Sequence, residues 1–149
     1  MTPSHPDHGV IRNKLRVITD SLDLLAGLDE LDERRLRDDP ILAAAVERLL
    51  ARVVDQAVDI NSHLGAVLLG RAGSEYRESF RLVAEAGIVP GPLAERLMQS
   101  VAMRNVIVHG YLHLDLSMVA AAVPLAVTQY REYVAAVAAW LVENPGSAT

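Results

Sequence analysis

Residues 39–70 read DPILAAAVERLLARVVDQAVDINSHLGAVLLG, and this stretch decides the fold. Its first residues, Asp39 and Pro40, form a typical helix start, because an Asp side chain caps free N–H groups and Pro suits the first helical turn. The apolar positions that follow are spaced four or three residues apart, the period of one helix face. They are Leu42, Val46, Leu49, Val53, Ala57, Ile60, Leu64 and Val67. The pattern predicts one long helix that ends between Gly70 and Gly73.

The same apolar period predicts a helix on each side of this stretch. A first helix is expected from Val10, continuing weakly as far as Leu28 or Leu31. A third is expected from Ser74, whose side chain would cap it, to Gly87 as the glycine that follows its last turn. The charged residues 34–39 are expected to form a connection between the first and second helices.

Two further helices are expected in the C-terminal half. The fourth begins at Leu93 and should weaken or end at Gly110. The fifth begins after Asp115 as its cap, and Pro124 is expected to kink it or to split off its first turns. We find no alternating strand pattern and no internal repeat. The sequence therefore predicts an all-α fold, an antiparallel bundle of about five helices.

Length and composition limit the class of protein. The 149 residues suit one domain, expected at residues 10–143 between a flexible leader at 1–9 and a tail at 144–149. The chain is 51% hydrophobic but only 4% aromatic, so the core should be aliphatic. It has no Cys, which suits a reducing cytoplasm. We expect no signal peptide and no membrane span, because neither end nor middle carries the necessary apolar run.

The formal net charge of −5 argues against non-specific binding of polyanions. Any nucleic-acid site must therefore be a local basic cleft. The five histidines show no metal-ligand spacing with carboxylates, so we expect neither a metal nor another cofactor.

Polar residues crowd into positions 104–111, which read RNVIVHGY. In a helix Asn105 and His109 share a face, whereas Arg104 and His109 lie about 140° apart and flank a strip of surface. A guanidinium and an imidazole that face one cleft can neutralise a phosphate and move a proton beside it. These residues are the candidates for a site.

Each candidate also has a structural interpretation. Arg104 could pair with an acid on a neighbouring helix, and His109 could be a hydrogen-bonded core histidine. Tyr111 could be an ordinary aromatic residue at a helix end, and His113 could either extend the site or lie on the surface.

A second polar cluster lies on the long helix. It consists of Asp55, Asp59, Asn61, Ser62 and His63. The cluster could face solvent or a neighbouring helix, or it could line the same cleft as residues 104–111. The sequence leaves both interpretations open.

The arrangement Arg104-Asn105, His109-Gly110-Tyr111 resembles the R-x4-H-x-Y signature of the HepT-like toxins, which belong to the HEPN superfamily. The resemblance extends to VER at 46–48, VDINSH at 58–63, and YRESFRLVAEAGIV at 76–89. It covers roughly residues 10–142.

The resemblance implies an endoribonuclease toxin of a type VII-like toxin–antitoxin pair that cleaves RNA, not DNA, without a metal. Arg104 and His109 would be catalytic and Asn105 supporting, in a homodimer with the site near the dimer interface. A minimal nucleotidyltransferase antitoxin would silence the enzyme by transferring AMP to Tyr111. Two other functions stay open: a HEPN module that binds nucleotide or RNA without cleavage, and a helical assembly protein.

Overall fold

The computed structural model describes residues 5–110 and 114–146. Six α-helices make up this part of the chain, and it contains no β-strand. The helices are α1 (His8–Ala26), α2 (Glu33–Asp38), α3 (Pro40–Leu69), α4 (Tyr76–Glu85), α5 (Gly91–Val108) and α6 (Leu116–Glu143). The all-α prediction is confirmed, with one helix more than expected. None of the described helices is long and apolar enough to cross a membrane.

Helix α3 is the predicted long helix, and it contacts each of the other five. The Asp39 side chain accepts a hydrogen bond from the N–H of Leu42 at 3.1 Å, as a cap should. At the other end Gly70 has a φ of 67°, the left-handed conformation that favours glycine. Both predicted ends are therefore correct.

Pairs of side chains show that neighbouring helices run antiparallel. Between α1 and α3, Lys14 lies against Asp59. Nearer the start of α1, the N–H of Asp7 donates to His63. Along the direction in which residue numbers rise on α1, they fall on α3, so the two helices are antiparallel. Between α5 and α6, Arg96 pairs with Glu132 and Ser100 with Tyr130, which gives the same relation. The predicted antiparallel bundle is confirmed.

The core is aliphatic, as composition predicts, but its centre is aromatic. Phe80, Tyr130 and Tyr133 have no exposed surface and pack edge to face. The Tyr133 hydroxyl donates to the side-chain oxygen of Asn61 at 2.6 Å, so the buried phenol has a hydrogen-bond partner.

Four local expectations were wrong. The stretch 34–39 is not a plain connection, because α2 forms there with Asp32 as its cap and Leu36 buried. Helix α1 begins two residues early, at His8, and ends at Ala26. Its cap, Asp7, accepts a hydrogen bond from Val10.

The other two concern α4 and α6. Ser74 does not cap α4; Glu75 holds that position without a side-chain hydrogen bond, and the Ser74 hydroxyl donates to Glu78. Helix α6 runs through Pro124 to Glu143, with Asp115 as its cap, as expected. The predicted split at Pro124 is therefore wrong, whereas the alternative of a kink stays a prediction. Three hydrogen bonds lower the pKa of Asp115: in order of effect, those from the Ser117 hydroxyl, the Met118 N–H and the Ser117 N–H.

Candidate functional site

Helix α5 carries the predicted site in its last turn. Its inner face buries Leu93, Leu97 and Val101, which fixes the helix against its neighbours. The backbone N–H of His109 donates to the carbonyl oxygen of Asn105 at 2.9 Å, so His109 closes the helix. Its φ of −101° and ψ of 9° lie in the bridge region, which is common at turns and active sites.

Arg104 points between α3 and α4. Its Nε–H donates to Oδ1 of Asp55 at 2.8 Å. One N–H of the terminal nitrogen NH1 donates to Oδ1 of Asn105 at 3.3 Å. The guanidinium carbon lies 4.7 Å from the centre of the Tyr76 ring, within the range of a cation–π contact. An arginine has five N–H donors, and the hydrogen bonds to described residues use two of them. Three donors have no partner among residues 5–110 and 114–146 and could bind a phosphate.

His109 and Asn105 are exposed at the helix end. The interpretation of His109 as a core histidine is therefore wrong. The interpretation of Arg104 as paired with an acid is correct, with Asp55 as the acid. No hydrogen bond joins the side chains of Arg104 and His109 among the described residues, so one chain places the pair at the same helix end without a hydrogen bond between them.

Gly110 follows His109 at the end of helix α5. Gly110 lies against the preceding turn, where an added Cβ would overlap the carbonyl oxygen of Val106. A residue with a side chain could not occupy this backbone position unless the helix end moved. Tyr111 and His113 lie outside the described residues. The two interpretations of Tyr111 and the two of His113 therefore stay predictions.

Members of the polar cluster on α3 contact different neighbouring residues. Asp55 binds Arg104, whereas Asp59 lies 3.3 Å from Lys14 on α1. Nε2 of His63 accepts a hydrogen bond from the N–H of Asp7 at 2.9 Å. Asn61 is fully buried. Of these, Asp55 is the member that reaches the candidate site.

A buried hydroxyl pair lies one turn before Arg104. The Ser100 hydroxyl donates to the carbonyl oxygen of Leu97 at 2.6 Å, so the phenol of Tyr130 donates to Ser100, also at 2.6 Å. Burial raises the pKa of Tyr130 far above its ordinary value, the Ser100 hydrogen bond lowers it, and the negative charge of Asp55 raises it. Tyr130 is therefore a neutral donor beside α5.

No group of three or more His, Asp or Glu side chains is placed to hold a metal ion in the described part of the chain. Neither Asp55 nor Tyr76 was predicted as a partner of Arg104. Asp55 was noted as a member of the α3 cluster, and Tyr76 only as the first residue of the stretch 76–89 that carries the family resemblance. The signal was the membership of Asp55 in the polar cluster, but nothing in the sequence specifies that it meets a residue 49 positions away.

Comparison with known proteins identifies the family. Residues 18–137 match the model of the family described as ribonuclease HepT-like. The chain belongs to the ribonuclease HepT-like family. The family predicted from residues 104–111 is therefore confirmed.

Two characterised relatives carry nuclease names. A tRNA nuclease HepT of Aphanizomenon flos-aquae is 33% identical over 98 residues, which are 64% of this chain and 65% of that protein. The chain thus spans slightly less than two thirds of that relative's length. An mRNA nuclease HepT of Shewanella oneidensis is 26% identical over 103 residues, 69% of this chain and 77% of that protein.

Solved structures share the fold. The tri-AMPylated HEPN toxin of Shewanella oneidensis, solved in complex with its MNT antitoxin, superposes with a TM-score of 0.77 at 24% identity, covering 89% of this chain and 99% of that one. YutE of Bacillus subtilis, described as a cytosolic protein of unknown function, superposes with a TM-score of 0.81 at 16% identity, covering 97% and 96%. At these identities the likeness concerns the fold.

Proposed function

We propose that this protein is a metal-independent endoribonuclease, the toxin of a type VII-like toxin–antitoxin pair. The observation that carries the proposal is the set of contacts that Arg104 makes in a chain of the HepT-like family. It is held by Asp55 and Tyr76, and three of its N–H donors have no partner in the part of the chain that the structure describes. It lies in the helix turn that ends at an exposed His109. Absence of Cys suits action in the cytoplasm.

Cleavage would use the ribose 2′-hydroxyl as nucleophile. His109 takes the proton of the 2′-OH as its oxygen bonds to the adjacent phosphorus, since an ordinary imidazole exchanges protons near neutral pH. The bond from phosphorus to the 5′-oxygen then breaks, and the leaving oxygen receives a proton. Arg104 stabilises the negative charge on the non-bridging oxygens. The products are a 2′,3′-cyclic phosphate and a 5′-hydroxyl, and DNA is not cut because it lacks the nucleophile.

A second chain would supply the missing acid. One chain provides a single His109, whereas the reaction needs both a base and an acid. A homodimer that brings two copies of His109 to one phosphate meets that need. Val106 and Val108, each 45% exposed beside His109, provide apolar surface that a second copy would cover.

The partner that silences the enzyme would act on Tyr111. A minimal nucleotidyltransferase would transfer AMP from ATP to the Tyr111 hydroxyl: the phenol oxygen bonds to the α-phosphorus, pyrophosphate leaves and the phenol proton is released. The product carries an added negative charge and a nucleoside two residues after His109. The added phosphate would occupy the position that an RNA phosphate needs, and its negative charge would repel the RNA.

Asn105 would support the binding of RNA. Its side-chain oxygen is bonded to Arg104, so its amide N–H groups can donate to the RNA.

The decisive experiment compares an RNA oligonucleotide with its all-deoxy counterpart, using wild type and Arg104→Ala, with EDTA present. We expect wild type to cut only the RNA and to leave a cyclic phosphate, detected by mass spectrometry, and Arg104→Ala to be at least about a hundredfold slower. Cleavage of the deoxy strand at a similar rate would refute the mechanism. Salt-sensitive binding of RNA without any cleavage would favour the non-catalytic module instead.

A further inference from the structure

We propose that Asp55 and Tyr76 are positioning residues that hold the guanidinium of Arg104 for cleavage, an inference that rests on the proposed ribonuclease function. Asp55 accepts the Nε–H of Arg104 at 2.8 Å, a bond that lies in the plane of the guanidinium. The guanidinium carbon of Arg104 lies over the Tyr76 ring, 4.7 Å from its centre. The hydrogen bond and the ring contact hold the guanidinium at two points, which restricts its orientation.

Asp55 binds Arg104 at a nitrogen that a phosphate does not need. Asp55 binds Nε, the guanidinium nitrogen nearest the main chain, rather than the two terminal nitrogens. These carry four N–H donors, of which one is bonded to Asn105. A phosphate can therefore bind the terminal edge while the Asp55 contact persists. An acid bonded to that edge would have competed with the substrate.

This ion pair is the most enclosed of the seven in the described part of the chain. The Arg104 side chain is 14% exposed, whereas the basic partners of the other six pairs are 30–84% exposed. Low exposure reduces screening by water and salt, so this pair holds its geometry better than a surface pair does. Arg96 of α5 forms an exposed pair with Glu132 of α6, which makes this pair a natural control.

Tyr76 rests on a buried polar chain. Its backbone carbonyl accepts a hydrogen bond from the Ser79 hydroxyl at 2.7 Å. The Ser79 oxygen accepts in turn from the side-chain amide of Asn61 at 3.3 Å, and Asn61 accepts from Tyr133. The start of α4 is thus attached to α3 and α6. Tyr76 therefore forms a fixed platform under Arg104.

Positioning has a signature that simple destabilisation lacks. Asp55→Asn keeps the shape of the side chain but removes the negative charge that offsets Arg104. The site then attracts phosphate more strongly while the guanidinium is less well oriented. Binding of RNA should tighten and the chemical step should slow, two effects of opposite sign. A variant that merely unfolds would lose both.

The experiment measures kcat and KM for Asp55→Asn, Tyr76→Leu, Tyr76→Phe and Glu132→Gln with an RNA oligonucleotide. We expect kcat to fall about tenfold to a hundredfold in Asp55→Asn, because a small misplacement of a catalytic group has effects of that size. KM should fall or stay constant. Tyr76→Leu should lower kcat, Tyr76→Phe should restore most of it because the ring remains, and Glu132→Gln should match wild type.

Binding is measured separately with a 2′-O-methyl RNA, which has no nucleophile. The plot of log affinity against log salt concentration should steepen by up to about 0.7 in Asp55→Asn, the contribution of one additional charge to single-strand binding. A kcat in Asp55→Asn within twofold of wild type would overturn the proposal. So would a raised KM with unchanged kcat, since Asp55 would then act on the RNA itself.

A further measurement does not depend on activity. The Nε–H resonance of Arg104, assigned by its loss in Arg104→Lys, reports the mobility of the side chain by NMR relaxation. It should be restrained in wild type and Glu132→Gln, and mobile in Asp55→Asn and Tyr76→Leu. Equal mobility in all four proteins would refute positioning. Restrained Arg104 in a wild type that cuts no RNA would refute the ribonuclease function instead.

Discussion

Asn61 of α3 and Tyr133 of α6 share a hydrogen bond of 2.6 Å, and neither residue has any exposed surface. Tyr133 donates, and the Asn61 amide donates onward to Ser79 of α4. Three helices therefore meet at one polar junction inside an aliphatic core. A buried polar group that loses its partner is costly, because water cannot replace the lost bond.

Tyr133→Phe should lower the free energy of unfolding by about 1–3 kcal/mol, because it leaves the Asn61 oxygen buried without its donor. Urea unfolding followed by circular dichroism measures the change. Glu132→Gln, the adjacent residue in an exposed ion pair, is the control and should cost less than about 1 kcal/mol. Equal effects of the two substitutions would contradict the importance of the junction.

The two buried tyrosines predict a loss of stability at alkaline pH. Burial raises the pKa of Tyr130 and Tyr133 above the ordinary value of 10.0. Below that pH both folded and unfolded chains keep the phenol protons, and the stabilisation is fully present. Above it the unfolded chain releases them while the folded chain does not, so stability falls as pH rises.

The free energy of unfolding should therefore drop above about pH 10 by up to about 1.4 kcal/mol per pH unit for each of these tyrosines. Urea titrations at a series of pH values measure the slope. Tyr130→Phe removes one titrating group and should make the slope shallower by roughly that amount. An unchanged slope in this variant would show that Tyr130 does not contribute.

His109→Gln should separate activity from stability. The side chain is exposed, so its replacement should change the free energy of unfolding by less than about 0.5 kcal/mol. Loss of the proton-transfer group should lower kcat by about 10²–10⁴. Growth after induction, together with cleavage of an RNA oligonucleotide, reports the effect. Growth arrest equal to that of wild type would exclude His109 from catalysis.

Gly110→Ala should disturb the end of α5 without touching a proposed catalytic side chain. The added methyl group would overlap the carbonyl oxygen of Val106, so the backbone at His109 must shift. We expect RNA cleavage to slow by at least about tenfold, since displacement of a catalytic group is costly. Gly91→Ala on the same helix meets nothing within 4 Å and serves as the control. Equal activity of the two variants would count against the prediction.

Local sequence signals predicted much of the fold. Asp39, Asp115, Gly70 and Gly87 mark helix ends as expected, because caps and left-handed glycines depend only on neighbouring residues. The short α2 was missed because a six-residue helix with a single buried side chain, Leu36, shows no apolar period. The overall all-α bundle followed from the long periodic stretches.

The site was only partly predictable. The motif named Arg104, Asn105 and His109 because they are close in sequence. Asp55 and Tyr76 meet Arg104 across three different helices, and their partners are set by the packing of α3, α4 and α5. Likewise, nothing near Tyr133 in the sequence indicates Asn61, 72 positions earlier. Contacts of this kind depend on the folded arrangement.

Helix α3 carries Asp55 and Asn61 six residues apart, about 9 Å along its axis. The same rigid element therefore holds the acid beside Arg104 and the amide of the buried junction. Selection for mutants that survive induction of this gene should then recover two groups of changes. One group would alter the last turn of α5, and the other, remote from any RNA, would alter Asn61, Ser79 or Tyr133.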